Sequence, residues 1–131
     1  MQIKDILQLK CAEIVMISPD TKIPAVALKL AEQSIGAAVV RDPVQGVLGI
    51  LSERDISRGL GKHGGKILEM CVSDLMSPGI ITYGLEWKVS KALNLMLSKN
   101  IRNLPVVEDD LEVVGIVSMR DVAAIHPEEM K

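Results

Sequence analysis

The sequence predicts a mixed α/β (α+β) fold made of two pseudo-symmetric copies of one β-α-β-β-α unit, on three observations. Gly49-Ile50-Leu51-Ser52-Glu53-Arg54-Asp55-Ile56 returns 66 residues later as Gly115-Ile116-Val117-Ser118-Met119-Arg120-Asp121-Val122. The same offset aligns the chain with itself without a gap from Lys22/Lys88 to Asp55/Asp121, with Ile35/Ile101, Val40/Val106 and Val47/Val113 among the identical pairs. Within each copy, apolar residues at helical spacing alternate with short β-branched runs bounded by turn residues. A shorter echo, Ile3-Lys4-Asp5-Ile6-Leu7 against Val72-Ser73-Asp74-Leu75-Met76, recurs at 69 residues. Two copies of one unit therefore account for nearly the whole chain, at 3–62 and 72–125 with a 63–71 linker, together forming one domain.

The elements follow in order. Residues 3 to 9 read as a short leading helix or turn. Ile14-Val15-Met16-Ile17 suits a buried strand, stopped by Ser18-Pro19-Asp20. Thr21 is placed to cap a helix whose Ile23, Val26, Ala27, Leu30 and Ala31 share one face, with Pro24 tolerable in its first turn. In the second copy Val89, Ala92, Leu93, Met96 and Leu97 mark the same face. Ala37 to Val40 and Val47 to Leu51 read as adjacent strands around the turn-rich Arg41 to Gly46. Their counterparts are Leu104 to Val107 and Val113 to Val117, with Glu108-Asp109-Asp110 in the turn. Ser52 and Ser118 then start helices expected to run to about Leu60 and Ala124. Gly59 to Lys66, with four glycines, reads as a mobile connection, and Ile67 to Met70 as a helical turn. His126 to Lys131 reads as a frayed polar tail.

A chain of 131 residues is one compact domain's worth. Each copy alone would be marginal in size, so the halves are expected to share a core. That core is aliphatic, since 48% of residues are hydrophobic but only 2% aromatic, with no Phe, one Trp and one Tyr. The formal net charge of −2 provides no basic field to gather phosphate backbone, and stacking aromatics are scarce, so nucleic acid is a poor candidate partner. Cys11 and Cys71 share no close-spaced motif with each other or with His63 and His126, which argues against a disulfide framework or a zinc site. The start lacks a signal peptide's basic region and long apolar run, and no stretch approaches membrane-spanning length. The expectation is a reduced, cytoplasmic protein with no membrane partner.

Ser52-x-x-Asp55 and Ser118-x-x-Asp121 admit two readings. As capping boxes, each Ser accepts from the backbone N–H three residues on and each Asp accepts from the Ser N–H. On chemistry alone this reading is favoured by about two to one, because the pattern is common at helix starts. As a binding motif, the same geometry offers N–H groups and a hydroxyl to an anion and a carboxylate to a pair of sugar hydroxyls. Arg54 and Arg120 tilt the balance toward a ligand, since a cation in the first turn opposes the helix dipole.

The doubled order of Val-x-Asp-Leu-Met, strand, amphipathic helix, Ile-Arg-Asn-Leu-Pro-Val-Val and Gly-Ile-Val-Ser-x-Arg-Asp resembles a tandem CBS domain pair, the Bateman module named after cystathionine β-synthase, of the stand-alone bacterial or archaeal type. The resemblance implies two repeats packed about a pseudo-twofold axis, with two inter-repeat clefts that commonly hold AMP, ADP, ATP, S-adenosylmethionine or NAD(H). It implies no catalytic residues and no required cofactor, an adenine nucleotide as ligand with AMP or ATP foremost, a homodimer of pairs, and a separate target protein for any output. Carried over, Asp55 and Asp121 would bind ribose hydroxyls, with Ser52 and Ser118 near the α-phosphate. The base would meet Val15, Met16, Gly36, Ala37 and Ala38 in one copy and Ile81, Thr82, Asn103 and Leu104 in the other. Arg58 and Arg102 are candidate phosphate contacts, beside Arg54 and Arg120. The copies differ: Gly36-Ala37-Ala38 stands opposite Arg102-Asn103-Leu104, and Arg58 opposite Ala124.

Two other classes fit parts of the same sequence. One is an interaction and dimerisation scaffold with empty clefts, its Ser-x-x-Asp motifs only capping helices. The other is a thiol enzyme built on Cys71, which lacks a paired base in the sequence. The glycine-rich Lys62 to Lys66 reads as connector rather than phosphate nest, and His63 as solvated.

Overall fold

The structure, a computed structural model, describes residues 1–9, 14–78, 83–107 and 113–125. The turn at 108–110 and the tail from His126 fall outside these residues. The element order is α1 (Ile3–Leu9), β1 (Met16–Ile17), α2 (Ile23–Gln33), β2 (Ala37–Asp42), β3 (Gly46–Ser52), α3 (Glu53–His63), a 3-10 turn (Gly64–Glu69), α4 (Val72–Leu75), β4 (Ser77–Pro78), β5 (Tyr83–Gly84), α5 (Val89–Lys99), β6 (Asn103–Val107), β7 (Val113–Ser118) and α6 (Met119–Ile125). Both copies are strand, helix, strand, strand, helix, as the periodicity predicts.

The chain forms two compact units, Val15–Ile80 and Met1–Ile14 with Ile81–Lys131. In the first, the sheet order is β1-β2-β3-β4, with β1 parallel to β2 and the later pairs antiparallel. In the second it is β5-β6-β7, again parallel then antiparallel. Gly46, at φ +80, turns the chain from β2 into β3 in the left-handed region where a side chain would strain the backbone. Helices α2 and α5 each end on a left-handed residue, Ser34 at φ 54 and Asn100 at φ 55, whose N–H closes the last turn.

The compact units are not the sequence copies. Helix α1 opens the first copy but lies in the unit of the second. There Ile3 N–H donates to the Trp87 carbonyl (2.8 Å), Lys4 N–H to Leu85 (2.8 Å), and Val89 N–H to Met1 (3.0 Å). Helix α4 opens the second copy and makes the matching bonds in the other unit: Val72 N–H to Thr21 (2.8 Å), Ser73 N–H to Pro19 (3.0 Å), and Ile23 N–H to Met70 (3.0 Å). The sharing expected of two marginal halves thus takes the form of exchanged leading helices. Each unit has its own apolar cluster. One joins Ile3 and Ile6 to Val89, Ala92, Leu93, Met96, Leu104, Val106, Val117 and Val122. The other joins Val72 to Val15, Ile17, Ile23, Val26, Leu30, Ala38, Val40, Leu51 and Ile67.

Four local expectations need correction. Lys22, not Thr21, is the N-cap of α2, and no side chain caps the helix, since a lysine ammonium has no acceptor to offer the first-turn N–H groups. The first strand is only Met16–Ile17. Leu97 is 62% exposed although it falls on the predicted face of α5. Gly59 to Lys66 is helical rather than a loose connector: α3 runs to His63 and passes into the 3-10 turn. Gly59 is buried, and a Cβ there would lie 2.7 Å from Leu75 Cδ1, so the glycine admits α4 against α3. Trp87 packs on the edge of a core with Lys91 Nζ 4.0 Å from its ring centroid, a cation–π contact.

Candidate functional site

Among the described residues, each unit brings the Ser of its Ser-x-x-Asp motif and the start of its facing strand to one end of its sheet. In the unit of residues 15–80, Ser52 ends β3 opposite Ala37, and Leu51 lies opposite Ala38. The chain then turns directly into α3, and Glu53 N–H donates to the Gly36 carbonyl at 2.9 Å. Val39 N–H donates to the Val15 carbonyl at 2.9 Å, which brings the start of β1 to the same end of the sheet. The other unit repeats this at the 66-residue offset: Asn103 opposite Ser118, Leu104 opposite Val117, and Met119 N–H donating to the Arg102 carbonyl at 2.9 Å. Ile81 and Thr82 lie outside the described residues.

The serines and aspartates form capping boxes in both units. Ser52 N–H donates to Asp55 Oδ2 at 2.9 Å and Asp55 N–H to Ser52 Oγ at 3.2 Å. The Ser52 hydroxyl also donates to Asp55 Oδ2 at 3.0 Å, and the Ser77 hydroxyl to Asp55 Oδ1 at 3.4 Å. Ser118 N–H donates to Asp121 Oδ2 at 2.8 Å and Asp121 N–H to Ser118 Oγ at 3.0 Å. A carboxylate has about four acceptor positions, so a cap does not exhaust it. Capping also fixes its rotamer, which orients the carboxylate before any ligand arrives. The leading helices carry the same backbone bond, Gln2 N–H to Asp5 Oδ2 (2.8 Å) and Cys71 N–H to Asp74 Oδ2 (2.9 Å).

Burial sorts the remaining candidates. Val15, Ala37, Ala38 and Leu104 have buried side chains, so a ligand could meet only their backbone. Gly36, Ser52, Arg54, Asp55, Asn103, Ser118 and Asp121 are half-buried, while Met16, Arg58, Arg102 and Arg120 are exposed. Sequence reasoning missed Ser77, which reaches Asp55 from a strand 22 residues away, and the first helical residues Glu53 and Met119. The signal for the last two was available: they occupy the same repeat position and differ in charge. A Cβ on Gly36 would lie 3.9 Å from Glu53 Oε2, so that carboxylate lies over Gly36. Among the described residues, no three His, Cys, Asp or Glu side chains gather as a metal-binding group, and no helix is long and apolar enough to cross a membrane.

Comparisons with known proteins bear on the fold and the family. The family model for the CBS domain matches residues 3–62 and 72–127. A CBS-domain-containing protein from Agrobacterium tumefaciens is 31% identical, with a TM-score of 0.87 over 94% of this chain and 91% of that one. A CBS domain protein from Pyrobaculum aerophilum, solved in complex with AMP, is 27% identical, with a TM-score of 0.82 over 99% of this chain and 98% of that one. A protein of Methanopyrus kandleri is 32% identical over 91% of this chain, which spans 64% of that relative's length.

Proposed function

Since the chain belongs to the CBS-domain family as a tandem pair, we propose that it is a regulatory module that binds an adenosine-containing ligand at the sheet ends holding Ser52/Asp55 and Ser118/Asp121. The observation that carries this reading is the doubled strand-to-helix turn, with a pre-oriented carboxylate beside a nearly side-chain-free strand start at Gly36-Ala37-Ala38. The carboxylates of Asp55 and Asp121 accept from the ribose hydroxyls. Ser52 and Ser118 stand near the α-phosphate, and Arg54, Arg58, Arg102 and Arg120 supply cations for the phosphates. Backbone groups at Val15, Gly36 to Ala38 and Asn103 to Leu104, with Ile81 and Thr82, meet the base. The AMP complex of the Pyrobaculum relative supports an adenine nucleotide as the ligand class, with AMP and ATP foremost and NAD(H) or S-adenosylmethionine as further members.

The role is regulation rather than catalysis, with output through a homodimer of pairs or a separate target protein. A ligand shifts such an assembly only by binding its arrangements unequally. Equilibrium dialysis against labelled AMP, ATP, NADH and S-adenosylmethionine, with GMP as the control, tests the proposal. Retention of at least one adenosine ligand over GMP is expected. No retention of any of them would favour the scaffold reading, and equal retention of GMP would refute selection for the adenine base.

A further inference from the structure

We propose that Ser77 is a positioning residue for the Ser52/Asp55 site: its hydroxyl sets the direction of Asp55 Oδ1, the carboxylate oxygen left open for a ribose hydroxyl, and so ties that site to the docking of α4. This rests on the reading of the sheet end as an adenosine site and deepens it. The two oxygens of the Asp55 carboxylate are used differently. Ser52 N–H and the Ser52 hydroxyl both donate to Oδ2, at 2.9 and 3.0 Å. A carboxylate oxygen has about two acceptor positions, so these donors fill Oδ2 and leave Oδ1 as the oxygen with room. Among the described residues the one donor to Oδ1 is the Ser77 hydroxyl, at 3.4 Å.

A carboxylate held at one oxygen can still rock about it and swing the other. A donor on Oδ1 limits that motion and leaves the oxygen a second acceptor position for a ligand. The bond is long and exposed, so it adds little to folding stability; what it changes is the aim of the oxygen. Ser77 reaches Asp55 because the chain passes from α4 directly into β4. Met76 N–H donates to the Val72 carbonyl at 2.9 Å, closing α4, and Ser77 then pairs with Ile50 on β3. Helix α4 is itself held by Val72 N–H on the Thr21 carbonyl and Ser73 N–H on the Pro19 carbonyl. A residue of the second copy therefore completes a site whose Ser and Asp belong to the first. The other unit is built differently. At the 69-residue offset Ser77 matches Gln8, which lies inside α1, and among the described residues that sheet has three strands with none beyond β7. Positioning of this kind is assigned to the Asp55 site alone.

The test isolates the first site with Asp121→Ala and titrates it by calorimetry with AMP and with 2′,3′-dideoxy-AMP, which lacks both ribose hydroxyls. Adding Ser77→Ala should weaken AMP binding roughly two- to fivefold, the reach of one hydrogen bond, and leave dideoxy-AMP unchanged. Ser77→Thr, which keeps the hydroxyl, should restore AMP binding. In Asp55→Ala, which leaves the second site, Ser77→Ala should have no effect on AMP. If Asp121→Ala melts too low for titration, two-site fits to wild type and Ser77→Ala make the same comparison. Unchanged or tighter AMP binding in Ser77→Ala, or equal weakening of both ligands, overturns the positioning role while leaving the site in place. Absence of binding by any adenosine ligand to wild type overturns both readings.

Discussion

Four aspartates in this chain make one and the same backbone bond, and replacing each in turn separates capping from binding. Asp5, Asp55, Asp74 and Asp121 accept from the N–H three residues before them at 2.8, 2.9, 2.9 and 2.8 Å. Asp→Ala removes that bond and a favourable carboxylate from the first turn of a helix. A lost cap costs about 1 kcal/mol and the lost dipole interaction about 0.3–1 kcal/mol, so each variant should lose about 1–2 kcal/mol. Asp55 belongs at the upper end, since it also accepts from the hydroxyls of Ser52 and Ser77. For a chain of this size that is a fall in Tm of about 3–8 °C. Binding adds a second axis. An adenosine ligand at 100 times its Kd stabilises the folded state by about 2.7 kcal/mol per site. Melting with and without ligand should therefore show Asp5→Ala and Asp74→Ala keeping the full ligand-dependent rise, while Asp55→Ala and Asp121→Ala each lose one site's share. Equal ligand-dependent rises in all four variants would refute the assignment of Asp55 and Asp121 and leave them as caps.

Other expected outcomes follow from the packing. A Cβ on Gly115 would lie 2.6 Å from Leu7 Cδ2 and 3.1 Å from Cδ1, so Gly115→Ala should cost about 1–3 kcal/mol in denaturant unfolding. Adding Leu7→Ala should make the pair markedly less than additive, and strict additivity would speak against α1 resting on β7. Lys91→Met should cost about 0.5–1 kcal/mol and alter the emission of Trp87, the only tryptophan, if the cation over its ring matters; an unchanged spectrum and stability would say it does not. Leu51→Ala, at a fully buried position of β3, should cost about 2–5 kcal/mol in the same unfolding experiment.

Much of the fold is legible in the sequence, for a physical reason. A 66-residue repeat reports each element twice, so helical spacing in Ile23 to Leu30 and in Val89 to Met96 confirm one another. The destination of the leading helices is not legible. Ile3 and Val72 have the same apolar pattern and could satisfy either unit, and which one each joins depends on a chain path that periodicity does not encode. Gly59 misleads for a related reason. Local propensity marks it as a break, but the glycine is explained by tertiary packing, since Leu75 fills the space its Cβ would take, 2.7 Å away, within a helix that runs on to His63. At the candidate sites, the Ser-x-x-Asp spacing foretold the bonds of both capping boxes. It could not foretell that Ala38 and Leu104 are wholly buried, nor that Ser77 would arrive at Asp55 from another strand.

The most direct test of the adenosine-site account is a crystal structure of the protein grown with AMP. The account predicts ribose hydroxyls within hydrogen-bonding distance of the Asp55 or Asp121 carboxylate, with both capping boxes intact. AMP bound away from both aspartates, or both sheet ends empty at saturating AMP and saturating adenosine alike, would contradict it.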